Sequence, residues 1–254
     1  MRVSGLETRR TSLKRKRGYK RGYPVAILAG LEDDQAVLWK VFSNVVKPEK
    51  NLCLEGTRND PKAVYNFHES IINALRPTLK EGVRSIIVAS PMRTNHAQRF
   101  IDHIRRHHIW LVQGPNKAIF SETTGSASTL SEVTAMTRTP VFRRLINETT
   151  SKETESLIDI LEKYLHASNQ ETSVLYSLEE TGTLIFGLWK PGRPQPEYLM
   201  LTDKYLSDSC EKKRIHRLMQ IAKNRNVKTR IVGAESTAGL RLTQLGGMVC
   251  LCAS

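Results

Sequence analysis

The sequence is poor in the features that secreted and membrane-spanning chains depend on. It has four cysteines (Cys53, Cys210, Cys250 and Cys252) in 254 residues. They do not read as a disulfide framework, because a chain this long buries a core without covalent staples. Cys250 and Cys252 fall two apart, so both thiols share one face of a terminal strand. A zinc site would need further ligands nearby, and small apolar residues in a last strand are the simpler reading. No apolar run approaches the roughly 20 residues of a spanning helix. The basic N-terminus is not followed by the apolar stretch of a secretory signal. The expectation is a reduced, cytoplasmic compartment with no membrane partner.

Catalytic signatures are also missing. There is no G-x-S-x-G elbow and no H-E-x-x-H helix. Gly182 and Gly187 have the spacing of a phosphate loop, but Leu188 and Trp189 stand where that loop needs Lys and then Ser or Thr. His103 and His107 are four apart on one expected helix and could share a metal. No carboxylate or thiolate sits at ligand spacing in the run Arg105-Arg106-His107-His108, so these are expected to be surface histidines. Neither a metal nor a cofactor is expected.

The remaining shortage is of acidic residues: 25 Asp+Glu against 39 Lys+Arg, a formal net charge of +14. An excess of this size points to a polyanionic partner, nucleic acid or an anionic membrane face, and the basic footprint favours nucleic acid. The charge is concentrated. Residues 1–22 hold Arg2, Arg9, Arg10, Lys14, Arg15, Lys16, Arg17, Lys20 and Arg21 against Glu7 alone, which is +8 of the +14. Residues 1–22 therefore read as a basic arm, disordered until bound. Each arm residue that meets a phosphate releases counterions and adds affinity without sequence preference. A nuclear-targeting run, an anionic-lipid contact and a solubilising tail are other uses of such a segment.

The body is globular in composition, 39% hydrophobic and 25% charged. Val25–Leu28 and the alternating Val37, Trp39 and Val41 read as a hairpin, with a further strand over Lys50–Glu55. Asp60 and Pro61 suit the cap and first turn of a helix carrying Val64, Phe67, Ile71, Ile72 and Leu75. Val83–Ala89 reads as a buried strand. A helix from Thr94 to His108 buries Ala97, Phe100, Ile101 and Ile104 and shows His96, Arg99, His103 and Arg106 as a basic ridge. Ile109–Val112 and Lys117–Glu122 look like strands, and Thr129–Glu132 has capping-box spacing. Ser151–His166 is strongly helical, and Leu175–Leu188 reads as a helix interrupted by its glycines. Strand Tyr198–Leu201, helix Cys210–Asn226, strand Val227–Val232, helix Ser236–Leu245 and strand Met248–Cys252 complete a second α/β unit.

Several segments also resemble a known family. The strand Ser85-Ile86-Ile87-Val88-Ala89-Ser90-Pro91 is similar to one in the central domain of Pelota, the ribosome-rescue branch of the archaeal and eukaryotic class-1 release factors. Phe120–Gly125, Leu130–Val133 and Pro140–Leu145 are similar to the segments that follow it there. Leu199-Met200-Leu201-Thr202-Asp203 and Gly239 through Met248 resemble the C-terminal domain. The resemblance runs in order over residues 24–252. It implies an α/β fold of two small domains: a release-factor-type central domain at 23–150, then a C-terminal α/β sandwich at 151–254 like the kink-turn-binding ribosomal proteins, with 151–168 as a linking helix. The basic arm stands where Pelota has an Sm-like domain.

The loop Glu55-Gly56-Thr57-Arg58-Asn59-Asp60 has no glutamine, whereas class-1 release factors carry Gly-Gly-Gln there. The resemblance therefore implies a non-catalytic ribosome-binding factor, with rRNA and tRNA as partners and an elongation-factor-like GTPase as a further one. The arm (Arg9, Arg10, Lys14, Arg15, Lys16, Arg17, Lys20 and Arg21), Arg58 in the loop, and Arg99 and Arg106 on the ridge are the expected RNA contacts. Two other readings stay open: a peptidyl-tRNA hydrolase or nuclease holding a divalent metal on Glu55 and Asp60, and a general RNA-binding protein acting off the ribosome.

Overall fold

The apolar run beginning at Val25 becomes the middle strand of a five-stranded sheet. The computed structural model describes residues 22–114, 117–166, 172–189 and 194–253. Strands β1 (Pro24–Leu31), β2 (Gln35–Phe42) and β3 (Val46–Cys53) form an antiparallel meander. Helix α1 (Pro61–Lys80) follows, then β4 (Ser85–Ser90), which lies parallel to β1. Next come α2 (His96–His107), the short α3 (Ile109–Val112), β5 (Ile119–Thr124) parallel to β4, α4 (Leu130–Arg138) and α5 (Pro140–His166). The sheet order is β3-β2-β1-β4-β5.

Both faces of this sheet are covered, which is why β4 reads as an unbroken apolar run: all six of its residues are buried. Ile27, Ala29, Leu38, Ile86 and Val88 meet α1 and α2 through Phe67, Ile71, Leu75, Phe100 and Ile104. Ala26, Leu28, Trp39 and Ile87 face the other way, toward Val133 of α4 and Phe142 of α5. Each fully buried side chain such as Phe100 or Ile71 contributes roughly 1.5–3 kcal/mol relative to exposure.

The second sheet, order β6-β9-β7-β8, is built from β6 (Thr172–Leu175), β7 (Gln195–Thr202), β8 (Lys228–Val232) and β9 (Met248–Ala253). Its helices are α6 (Leu178–Phe186), α7 (Asp203–Asp208), α8 (Lys212–Asn224) and α9 (Thr237–Gln244). Along β7, Leu199 and Leu201 pack toward α6 and α8, while Tyr198 and Met200 pack toward α5 and α9. Cys250 and Cys252 are buried, unbridged members of the first of these cores, as small apolar strand residues. No helix among the described residues is long and apolar enough to cross a membrane.

Local signals explain most starts. Asp60 accepts from Lys62 N at 2.9 Å with Pro61 in the first turn, and Thr129 and Glu132 close a reciprocal capping box. The strand expected over Lys50–Glu55 is β3, α7 is not among the expected elements, and three further segments differ for local physical reasons. The helix expected from Ser151 begins at Pro140, where Thr139 Oγ1 accepts from Phe142 N at 3.2 Å and proline fits the first turn. Its first half packs on the first sheet and Leu157, Ile160 and Leu161 on the second. Ile109–Val112 is a helical turn and not a strand, with only Leu111 buried; four apolar residues carry no period that separates the two. The expected helix 175–188 starts only at Leu178 of α6, where Ser177 caps by accepting from Glu180 N at 3.1 Å, and Leu175 instead closes β6, which pairs with β9.

Candidate nucleic-acid interface

Helices α1 and α2 lie together on one face of the first sheet, and their outer surface gathers most of the expected contacts that fall within the described residues. Ala97, Phe100, Ile101 and Ile104 turn inward. The helical period then forces Arg99, Arg105 and Arg106 outward, and all three are exposed. Arg105 is tied to Asp102 at 3.3 Å. Among the described residues neither Arg99 nor Arg106 has an ion-pair partner. Trp110, in α3, is 48% exposed, and Tyr65, in α1, is 43% exposed. The Arg76 guanidinium lies over the Trp110 ring, 5.2 Å from its centroid, which pairs a cation with a half-exposed aromatic ring.

The ridge is narrower than the sequence suggested. His96 and His103 are buried, not surface residues. His96 Nε2 lies 2.8 Å from Asp33 Oδ1, and His103 Nε2 lies 3.0 Å from Glu69 Oε1. The physical reason is that carboxylates from the β1–β2 turn and from α1 reach them, partners that α2's own sequence does not show. His108 Nε2 converges on the same Glu69 oxygen at 2.7 Å. Burial disfavours the charged form of Glu69, but hydrogen bonds from His108 and His103 outweigh it and hold its carboxyl below the usual range. Burial lowers His103, with Glu69 opposing. Burial, then the nearby His103 and Arg58, push His68 down to about 3, so this ring is neutral at physiological pH.

Arg58 is half-buried beneath this surface. Its Nε donates to Asp33 O at 2.8 Å and its Nη2 donates to Glu32 O, while the guanidinium lies over Phe67 at 4.9 Å. Burial lowers its pKa; the Asp33 carboxylate opposes that shift and Arg99 adds to it. Those donors hold the β1–β2 turn against the loop before α1, and Glu32 continues the brace by accepting from Ser126 Oγ at 2.7 Å and Ala127 N at 3.2 Å. In the same loop Asp60 is used as the α1 cap and Glu55 is exposed. Neither belongs to the group of metal-ligand atoms that comes together among the described residues. Arg9, Arg10, Lys14, Arg15, Lys16, Arg17, Lys20 and Arg21 lie outside the described residues.

Sequence reasoning missed Tyr65, Arg76 and Trp110. The available signal was Trp110 within an apolar quartet, next to a basic helix end. An aromatic among arginines is a stacking surface for nucleic-acid bases as readily as a core residue.

No family model matches the chain, and no curated protein matches it. Solved structures do. A ribosome-bound archaeal Pelota, determined with ABCE1, aligns with TM-score 0.50 and 18% identity over 90% of this chain and 61% of that one. Dom34 of S. cerevisiae, described as a translation termination-like factor involved in RNA quality control pathways and interacting with Hbs1, aligns with TM-score 0.47 and 18% identity over 89% of this chain and 62% of its own. The chain thus has a Pelota-like fold and spans about 61% of the length of that archaeal structure.

Proposed function

We propose that the chain is a non-catalytic RNA-binding factor of translation, acting in ribosome rescue or quality control. The observation that carries this reading is the outer face of α1 and α2. Arg99 and Arg106 stand there without acidic partners among the described residues, with Arg105 on the same helix and the half-exposed Trp110, stacked by Arg76, just beyond its end. In a chain of net charge +14, that face offers phosphate contacts and a stacking platform together.

The fold supports the ribosomal target, since the archaeal Pelota it resembles was determined on the ribosome. The elongation-factor-like GTPase partner and a cytoplasmic site of action rest on the sequence resemblance alone. The 55–60 loop supports a binding role: it lacks glutamine, and its acidic residues are a helix cap and an exposed side chain. Nucleophile positioning needs accurately placed groups, and a capping carboxylate with one exposed acidic side chain fits a binding loop better than a hydrolytic one.

The test is binding of the full chain to ribosomal RNA across a salt series, comparing wild type with Arg99→Ala/Arg106→Ala. Losing two phosphate contacts should flatten the log–log salt slope by about 1.5 while the far-ultraviolet circular dichroism stays the same. An unchanged slope assigns the binding elsewhere.

A further inference from the structure

We infer that Glu69, His103 and His108 form a binding site for a divalent transition-metal ion of the zinc type. One ligand atom from each of the three lies within 4.8 Å of the other two. His103 Nε2 and His108 Nε2 sit 3.0 and 2.7 Å from the same Glu69 Oε1. Two ring nitrogens and a carboxylate oxygen at these separations need a positive centre between them, either protons or a cation. In a tetrahedral zinc site with bonds of about 2.0–2.1 Å, neighbouring ligand atoms stand about 3.3 Å apart. Side-chain rotations that widen the two Glu69 contacts and set the two ring nitrogens, now within 4.8 Å of each other, at that spacing would form the shell. Two imidazoles with one carboxylate are a zinc ligand set that leaves a fourth position for water.

The site depends on where α2 ends. On a continuous helix, residues five apart diverge by about 140° and do not share a face. His108 has left the helix, with φ −129° and ψ 55°, and this turn brings its ring back beside His103. Both rings are then wedged in place. Tyr65 and His68 meet His103 edge-on at 4.9 and 5.0 Å, and Trp110 meets His108 at 6.3 Å. Ordered surroundings of this kind orient metal ligands. His107, the i+4 partner on the helix, is exposed and outside the cluster. A bound ion would clamp α1 to α2 directly beneath the proposed RNA face, but the site stands or falls independently of ribosome binding.

The experiment uses tag-free, full-length, chelator-treated protein titrated with Co²⁺ and then Zn²⁺. One equivalent of Co²⁺ should give visible d–d absorption of tetrahedral intensity that Zn²⁺ abolishes. Glu69→Gln and His108→Asn should each weaken binding at least tenfold, and His107→Asn should leave it unchanged. X-ray absorption of the wild-type zinc complex needs no variant to fold, and should count two imidazole nitrogens with oxygen filling the remaining positions. Absence of saturable binding overturns the inference. So does sulfur in the zinc shell, or loss of binding in His107→Asn with retention in His108→Asn.

Discussion

Arg230 of β8 and Glu153 of α5, 77 residues apart, form an ion pair with Nη2–Oε2 of 2.6 Å and side chains only 4% and 2% exposed. The same guanidinium donates to Pro24 O at 3.1 Å and Val25 O at 2.9 Å, where β1 begins. The Glu153 carboxylate also accepts from Ser85 Oγ and from Arg84 N at the start of β4. One buried charge pair thus ties the second sheet to two central strands of the first, alongside the helix that packs on both.

Removing one partner leaves the other charge buried and unpaired, so Arg230→Met or Glu153→Gln should each lower stability by about 3–5 kcal/mol. The double variant Arg230→Met/Glu153→Gln should recover part of that loss. Urea unfolding also reads the coupling: wild type should unfold in one transition and Arg230→Met in two. Additive effects in the double-mutant cycle would show that the pair does not act as a unit.

Close backbone approach gives a second expectation. A Cβ on Gly239 would meet Gly233 O at 2.0 Å and Ala234 Cα at 2.7 Å, whereas a Cβ on Gly233 meets nothing within 4 Å. Gly239→Ala should therefore destabilise by at least about 1–3 kcal/mol, while Gly233→Ala should stay within about 0.5 kcal/mol of wild type. Thermal melts of the two variants make the comparison.

The α4 capping box makes stability depend on pH. Hydrogen bonds from Ser128 and Thr129 lower the Glu132 pKa from 4.5 to about 2. A folded-state pKa below the unfolded one stabilises fully above about pH 4.5, and that contribution disappears as pH falls toward 2. Glu132→Gln keeps the cap's shape without the charge. The stability gap between wild type and this variant should be constant near neutrality and close between pH 4.5 and 2. A gap that ignores pH over that range contradicts the assignment.

Trp110 and the α2 arginines should act on RNA in different ways. Trp110→Ala removes a stacking surface worth about 1–3 kcal/mol per base, so it should weaken RNA binding at every salt concentration and leave the salt slope unchanged. Arg106→Ala should instead reduce the slope by about 0.7–0.9. Parallel fluorescence-anisotropy titrations separate the two.

Much of the fold was legible because its signals are local. Asp60-Pro61, Thr129 with Glu132, and the apolar stripe of α2 each state their structure within a few residues. The errors fell where the deciding partner is distant or the segment is too short for a period. β6 exists because β9 offers it an edge, and Ile109–Val112 is a helical turn that buries Leu111 and packs Val112 at the core's margin. For the same reason the candidate site was half legible. The outward arginines follow from helical spacing alone. The burial of His103 and His96 required Glu69 and Asp33, which arrive from other elements, and His108 joins His103 only because the helix stops there.

Co-sedimentation of the full chain with ribosomes, in competition with excess bulk RNA and across a salt series, tests the central claim most directly. Saturable binding that survives the competitor, and that weakens when Arg99 and Arg106 are replaced, is the predicted result. Complete displacement by bulk RNA at every salt concentration would contradict it and leave an RNA-binding protein whose target is not the ribosome.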